Sequence, residues 1–232
     1  MATRQLLKRL FAVFAVVLAP TAGTLVQPAD AQTNAGPSKW ESEIKAFESA
    51  DKTNPPPPGA ILFVGSSSIR LWKTLAQDFS EYNVINRGFG GSQIADSVAF
   101  ADRIVIPCRP KAIVLYAGDN DLAAGKSPRQ VFADFRAFAQ KIQASLPETR
   151  IVFLCIKPSP SRWHLVEEIK TANRMIANYC RQKKRLIYID IFKPMLGPDG
   201  KPRAELFLED RLHMNSKGYA LWTRIIKSRL QE

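Results

Sequence analysis

The sequence predicts an α/β fold: a three-layer αβα sandwich on a five-stranded, mostly parallel sheet. Two observations carry this. Short apolar runs alternate with amphipathic stretches at helical spacing along most of the chain, which is the signature of parallel strands joined by crossover helices. The length of 232 residues, with 46% hydrophobic and 23% charged residues, suits one domain with one sizeable core. No internal repeat is visible.

Taken in order, the first segment differs from the rest. Arg4, Lys8 and Arg9 precede a short apolar run over residues 10–18, and Ala29-Asp30-Ala31 fits a small-x-small cleavage site. Residues 1–31 are therefore expected to be a cleaved secretory signal, with Gln32 opening the mature chain. The apolar run is too short to anchor the chain in a bilayer, so the expectation is an exported protein, periplasmic or secreted, with no stable membrane insertion after cleavage. Residues 32–59 read as a leader, then a helix over 39–52 with Trp40, Ile44 and Phe47 at helical spacing. The run Asn54-Pro55-Pro56-Pro57-Pro58-Gly59 then forms a stiff connector.

The main domain is expected over 60–232. Strands are placed at 60–64, 83–86, 112–116, 150–156 and 186–191, and helices at 69–79, 93–106, 128–146 and 165–184. A last helix covers 216–230, with Leu221, Trp222, Ile225 and Ile226 on its apolar face. Right-handed crossovers then put helices on both faces of the sheet.

The formal charge is +12, and removal of Arg4, Lys8, Arg9 and Asp30 with the signal leaves +10. The cations are scattered, apart from Arg181-Gln182-Lys183-Lys184-Arg185 at an expected helix end, where they suit the dipole. Basic and aromatic residues are not interleaved, so nucleic acid is not expected as a partner. Cys108, Cys155 and Cys180 allow one disulfide in an oxidising compartment and leave the pairing open. Neither Cys nor His spacing suggests a metal, and no cofactor is expected.

Ligands of such a sheet bind beyond the C-terminal ends of the strands, and four motifs fall there. Gly65-Ser66-Ser67-Ser68 follows the first strand, Asn86-Arg87-Gly88-Phe89-Gly90-Gly91-Ser92 the second, and Gly118-Asp119-Asn120-Asp121 the third. Asp210-Arg211-Leu212-His213 precedes the last helix. Singly, each has a plain structural use as a cap, a turn or a helix entry. Together they supply what acyl transfer through a serine requires. Ser67 would attack, His213 would take and return the proton, and Asp210 would orient the imidazole. The Ser67 and Gly91 N–H groups and the Asn120 amide would hold the oxyanion. The other imidazole, His164 in Arg162-Trp163-His164, reads as a loop or helix-entry residue.

These blocks resemble the SGNH (GDSL-like) hydrolase superfamily, with the usual Asp of Gly-Asp-Ser replaced by Ser66. The resemblance runs from about Ala60 to the C-terminus. It implies a flavodoxin-like sheet of order 2-1-3-4-5, an exposed site, and ester or thioester hydrolysis without a metal. The register from Phe63 and Gly65 picks Ser67 as nucleophile, with Ser68 the alternative. Within the superfamily the chain is similar to the platelet-activating-factor acetylhydrolase type and to carbohydrate esterases, so a small-molecule or carbohydrate ester of short acyl length is the expected substrate. Arg70, Trp72, Lys157 and Trp163 are candidate rim residues. The competing class is a catalytically silent carbohydrate- or envelope-binding protein on the same fold. A phosphate-cradling nucleotide enzyme is disfavoured, because no Gly-Lys-Ser/Thr follows a strand. The sequence leaves the oligomeric state open.

Overall fold

In a computed structural model, residues 39–230 are described. The segments expected as signal and leader (1–31 and 32–38) lie outside that range. The described chain runs α1 (Glu41–Thr53), β1 (Ile61–Gly65), α2 (Ser67–Arg70), α3 (Leu75–Asp78), β2 (Val84–Gly88) and α4 (Ile94–Ile104). It continues through β3 (Ala112–Tyr116), α5 (Asp119–Ala123), α6 (Pro128–Ser145), β4 (Arg150–Leu154), α7 (Val166–Arg181), β5 (Leu186–Ile189) and α8 (Ser216–Leu230), with short 3-10 turns between. The five strands form one sheet of order β2-β1-β3-β4-β5. All pairings are parallel, with Gly65 opposite both Gly88 and Tyr116 at the C-terminal edge.

Because side chains alternate along a strand, the near-continuous apolar strands feed two cores. Leu62, Val64, Ile113, Leu115, Ile151 and Phe153 pack with α1, α4, α6 and α7 on one face. Ile61, Phe63, Val114, Tyr116, Val152 and Leu154 pack with Trp72, Phe79 and α8 on the other. The middle strands are thus covered on both sides, which fixes their register and the positions of the loops that leave them.

The expected strands match to within two residues, whereas the helix expected over 69–79 is two short helices, α2 and α3. Its apolar spacing is real, since Ile69, Trp72, Leu75 and Phe79 all face the core. Across the break, Asp78 Oδ2 accepts bonds from the Trp72 indole at 2.6 Å and the Thr74 hydroxyl at 2.7 Å. Gly118 precedes α5 as its cap, and Asp119–Asp121 open the helix. All three cysteines are buried and unpaired. Burial pushes the Cys155 and Cys180 thiols up to about 12, so neither is a reactive thiolate at neutral pH.

Candidate active site

The loops after β1, β2 and β3 leave adjacent strands at one edge of the sheet. Gly65 closes β1 with φ +134°, and a Cβ there would lie 1.9 Å from the Tyr116 carbonyl oxygen. Only glycine fits, and the chain turns at once into α2, with Ser67 as its first residue. Ser66 stands where a carboxylate usually would, yet the turn holds through its backbone. The Ser66 N–H donates to the Tyr116 carbonyl at 3.0 Å, and its own carbonyl accepts from Ile69 and Arg70.

Ser67 is half-buried, and its Oγ lies 2.9 Å from His213 Nε2. His213 Nδ1 donates to Asp210 Oδ2 at 2.5 Å, which leaves Nε2 free to accept the hydroxyl proton. The Asp210–His213 turn is preset by backbone geometry. Arg211 takes φ +57°, and Asp210 Oδ1 accepts the N–H groups of Leu212 and His213 at 2.9 Å each. The Leu208 N–H donates to the His213 carbonyl and the Ser161 N–H to that of Arg211, while Asn215 caps α8 through bonds from the Lys217 and Gly218 N–H groups. Burial would raise the Asp210 carboxyl, but the Leu212 and His213 bonds outweigh it and hold the group down to about 2.

Ser68, one residue on, is differently placed. It is 1% exposed, and its Oγ accepts a bond from Lys157 Nζ at 3.2 Å. The Lys157 ammonium also bonds Tyr116 Oη and Asp119 Oδ2, each at 3.0 Å. All three of its donors are thereby used. Burial works against the charge on Asp119, but Lys157 and Arg162, the latter at 3.0 Å, hold its carboxyl below the usual range.

Asn120 sits at the start of α5. Its Oδ1 accepts from Arg162 Nη2 at 2.8 Å, and its Nδ2 donates to the Ser92 carbonyl at 3.0 Å. These two bonds fix which end of the amide is the donor, with a second N–H to spare. Gly91 takes φ +74° and lies open to solvent. Among the described residues no protein acceptor takes the Gly91 or Ser67 N–H. The arrangement therefore offers a nucleophile, a base, an orienting carboxylate and three uncommitted N–H donors on neighbouring loops.

Two rim expectations need correction. Trp72 is 1% exposed and packs among Phe63, Phe79, Tyr219 and Trp222. Its indole is large enough that the core between the sheet and α8 claims it. Lys157 is equally buried, because the Asp119 carboxylate below the site demands a counter-charge. Arg70 is exposed, 3.4 Å from Glu43, with its guanidinium against Gly90. Trp163 is half-buried and His164 exposed in the 3-10 turn Pro160–Leu165. A groove of about 500 Å³ lined by Phe47, Arg70, Trp72, Leu75 and Gly88 flanks β2 rather than Ser67.

Arg162, which holds both Asp119 and Asn120, is a further residue of the site. The available signal was a cation in the loop after β4, which must reach the same edge as the acidic loop after β3. The buried ion pair gives a test of its own. Lys157→Met leaves Arg162 as the one counter-charge facing Asp119 and takes the ammonium away from the Ser68 and Tyr116 hydroxyls, so it is expected to cost about 3–5 kcal/mol of stability. Urea denaturation measures the loss, and Asp119→Asn in the same chain should restore part of it.

An αβα fold of this topology thus carries Ser67, His213 and Asp210 in one hydrogen-bond chain at its strand ends. The chain belongs to the GDSL-like lipase/acylhydrolase family, whose model matches residues 62–221, and it is a carboxylic ester hydrolase. No curated protein is similar enough to match it. Among solved structures it is similar to one from Streptococcus pneumonia described as a candidate platelet activating factor, with 20% identity, a TM-score of 0.74, and coverage of 82% of this chain and 92% of that one. A GDSL-like lipase from Bacteroides thetaiotaomicron shares 19% identity at a TM-score of 0.72, over 82% and 98% of the two chains. An acetyl esterase variant solved with an acetate ion shares 16% at 0.59, over 73% and 95%. At these identities the likeness is one of fold.

Proposed function

We propose that the protein hydrolyses short-acyl carboxylic esters through Ser67, His213 and Asp210. The observation that carries this is the unbroken hydrogen-bond chain from Ser67 Oγ through the His213 imidazole to Asp210. Ser67 attacks the ester carbonyl as its proton passes to His213 Nε2. Asp210 holds the imidazole in the right tautomer and stabilises the imidazolium that forms. The tetrahedral oxyanion is met by the Ser67 N–H, the Gly91 N–H and Asn120 Nδ2. Collapse breaks the bond to the alcohol, which takes the proton from His213. A water activated by the same imidazole then releases the acid and restores Ser67.

The open surface around Gly91 and the exposure of Asp210 favour small acyl groups on a larger alcohol, such as acetyl esters of carbohydrates. The fold likeness to an acetyl esterase is in keeping with that. We further propose, from the N-terminal signal features, that the enzyme acts outside the cytoplasm; N-terminal sequencing of exported protein should begin at Gln32.

A panel of p-nitrophenyl and sugar esters tests the proposal by varying acyl length and alcohol. Acetyl and other short esters are expected to give the highest kcat/KM. A rate that rises steadily with acyl length would refute the short-acyl preference, and no turnover of any ester would favour a silent binding protein. Asn120→Ala should lower kcat on the best ester by about 10²–10³ with a smaller change in KM, the usual cost of an oxyanion donor. Equal kcat in the variant would remove Asn120 from the site.

A further inference from the structure

Building on the acyl-transfer site above, we propose that Trp40, which lies ahead of the family-matched region, is a positioning residue for the oxyanion-binding peptide. The Trp40 indole N–H donates to the Gly90 carbonyl oxygen at 2.8 Å. That carbonyl and the Gly91 N–H belong to one planar peptide unit and point in opposite directions. Holding the carbonyl on one side therefore aims the N–H at the other, where the oxyanion forms.

The peptide needs such a hold. It joins two glycines, Gly91 lies at φ +74°, and no side chain of its own restricts it. An unrestrained Gly-Gly peptide can rotate the N–H away, and each rotated molecule has lost a donor. A bond to the carbonyl also polarises the peptide, so the N–H becomes a better donor.

Trp40 is itself fixed by the helix that follows it. Its ring meets Phe89 edge-on at 5.7 Å, and Ile44 is fully buried. Arg103 of α4 grips Glu41 and Glu48 of α1 through four bonds of 2.7–3.0 Å. Arg87 of β2 pairs with Asp51 at the far end of α1. The helix is thus braced on β2 and α4, the two elements between which the Gly90–Gly91 loop is strung.

The test compares Trp40→Phe, which keeps a ring against Phe89 but has no donor, with Ile44→Val, which loosens α1 without touching Gly90. Steady-state kinetics on a short ester and inhibition by a boronic acid that forms a tetrahedral adduct on the serine are read for each. Trp40→Phe is expected to lower kcat about tenfold, less than outright loss of a donor, with KM within about twofold and boronate affinity reduced by the same factor as kcat/KM. Ile44→Val should change thermal stability and leave kcat intact. Wild-type kcat in Trp40→Phe, or an equal fall in Ile44→Val, would overturn the role. If the phenylalanine variant does not fold, benzothienylalanine at position 40 keeps the bicyclic shape and exchanges only the N–H for sulfur, and the same outcomes apply. Failure of the underlying site is separately visible as wild-type hydrolysis that survives Ser67→Ala.

Discussion

Ser67→Ala is expected to lower kcat for ester hydrolysis by about 10⁶, the cost of removing the serine nucleophile from an otherwise intact triad. Ser68→Ala should behave differently. Its hydroxyl takes a bond from Lys157, whereas the His213 imidazole bonds the Ser67 hydroxyl, so its loss is a matter of packing and stability. The expected result is a modest fall in melting temperature with kcat within about threefold, since one neutral bond to a charged group contributes about 1.5–3 kcal/mol. Steady-state kinetics and thermal denaturation of both variants separate the roles. A Ser68→Ala protein without activity beside an active Ser67→Ala would reverse them.

His213→Ala should be as damaging as Ser67→Ala, because nucleophile and base act as one unit and their losses do not add. His164→Ala, at an exposed position in the turn after β4, should leave kcat within about twofold of wild type, since surface changes away from a site rarely register. The pH dependence follows from the same geometry. Asp210 has its carboxyl depressed to about 2, so it is ionised throughout any practical assay. Whatever it contributes to the folded state is present above the ordinary carboxylate range and is lost only as pH falls through about 2. Loss of activity at any assay pH well above that value is therefore not titration of Asp210.

Much of this was legible from residue order. Strands with apolar side chains on both faces declare themselves, and the resulting topology places the residues after β1, β2 and β3 at one edge. The Asp210–His213 spacing was readable because a short turn, with Arg211 in the left-handed region, brings carboxylate and imidazole together without help from the rest of the fold. What sequence could not show were long-range contacts between side chains. Trp72 looked like a rim aromatic, yet its helical spacing with Ile69 and Leu75 equally fits the core residue it is. Lys157 looked like a surface cation because lysines are rarely buried, and only the Asp119 carboxylate, 38 positions away, explains its place. The bond from Trp40 to Gly90 spans 50 positions, and no local pattern records it.

The most direct test is covalent. A serine-directed phosphonate should react stoichiometrically with the native protein, abolish esterase activity, and leave its phosphorus on Ser67 when the labelled peptide is sequenced by mass spectrometry. An adduct on Ser68, or full activity in protein that carries the label nowhere, would contradict the assignment of Ser67, His213 and Asp210 as the acyl-transfer site.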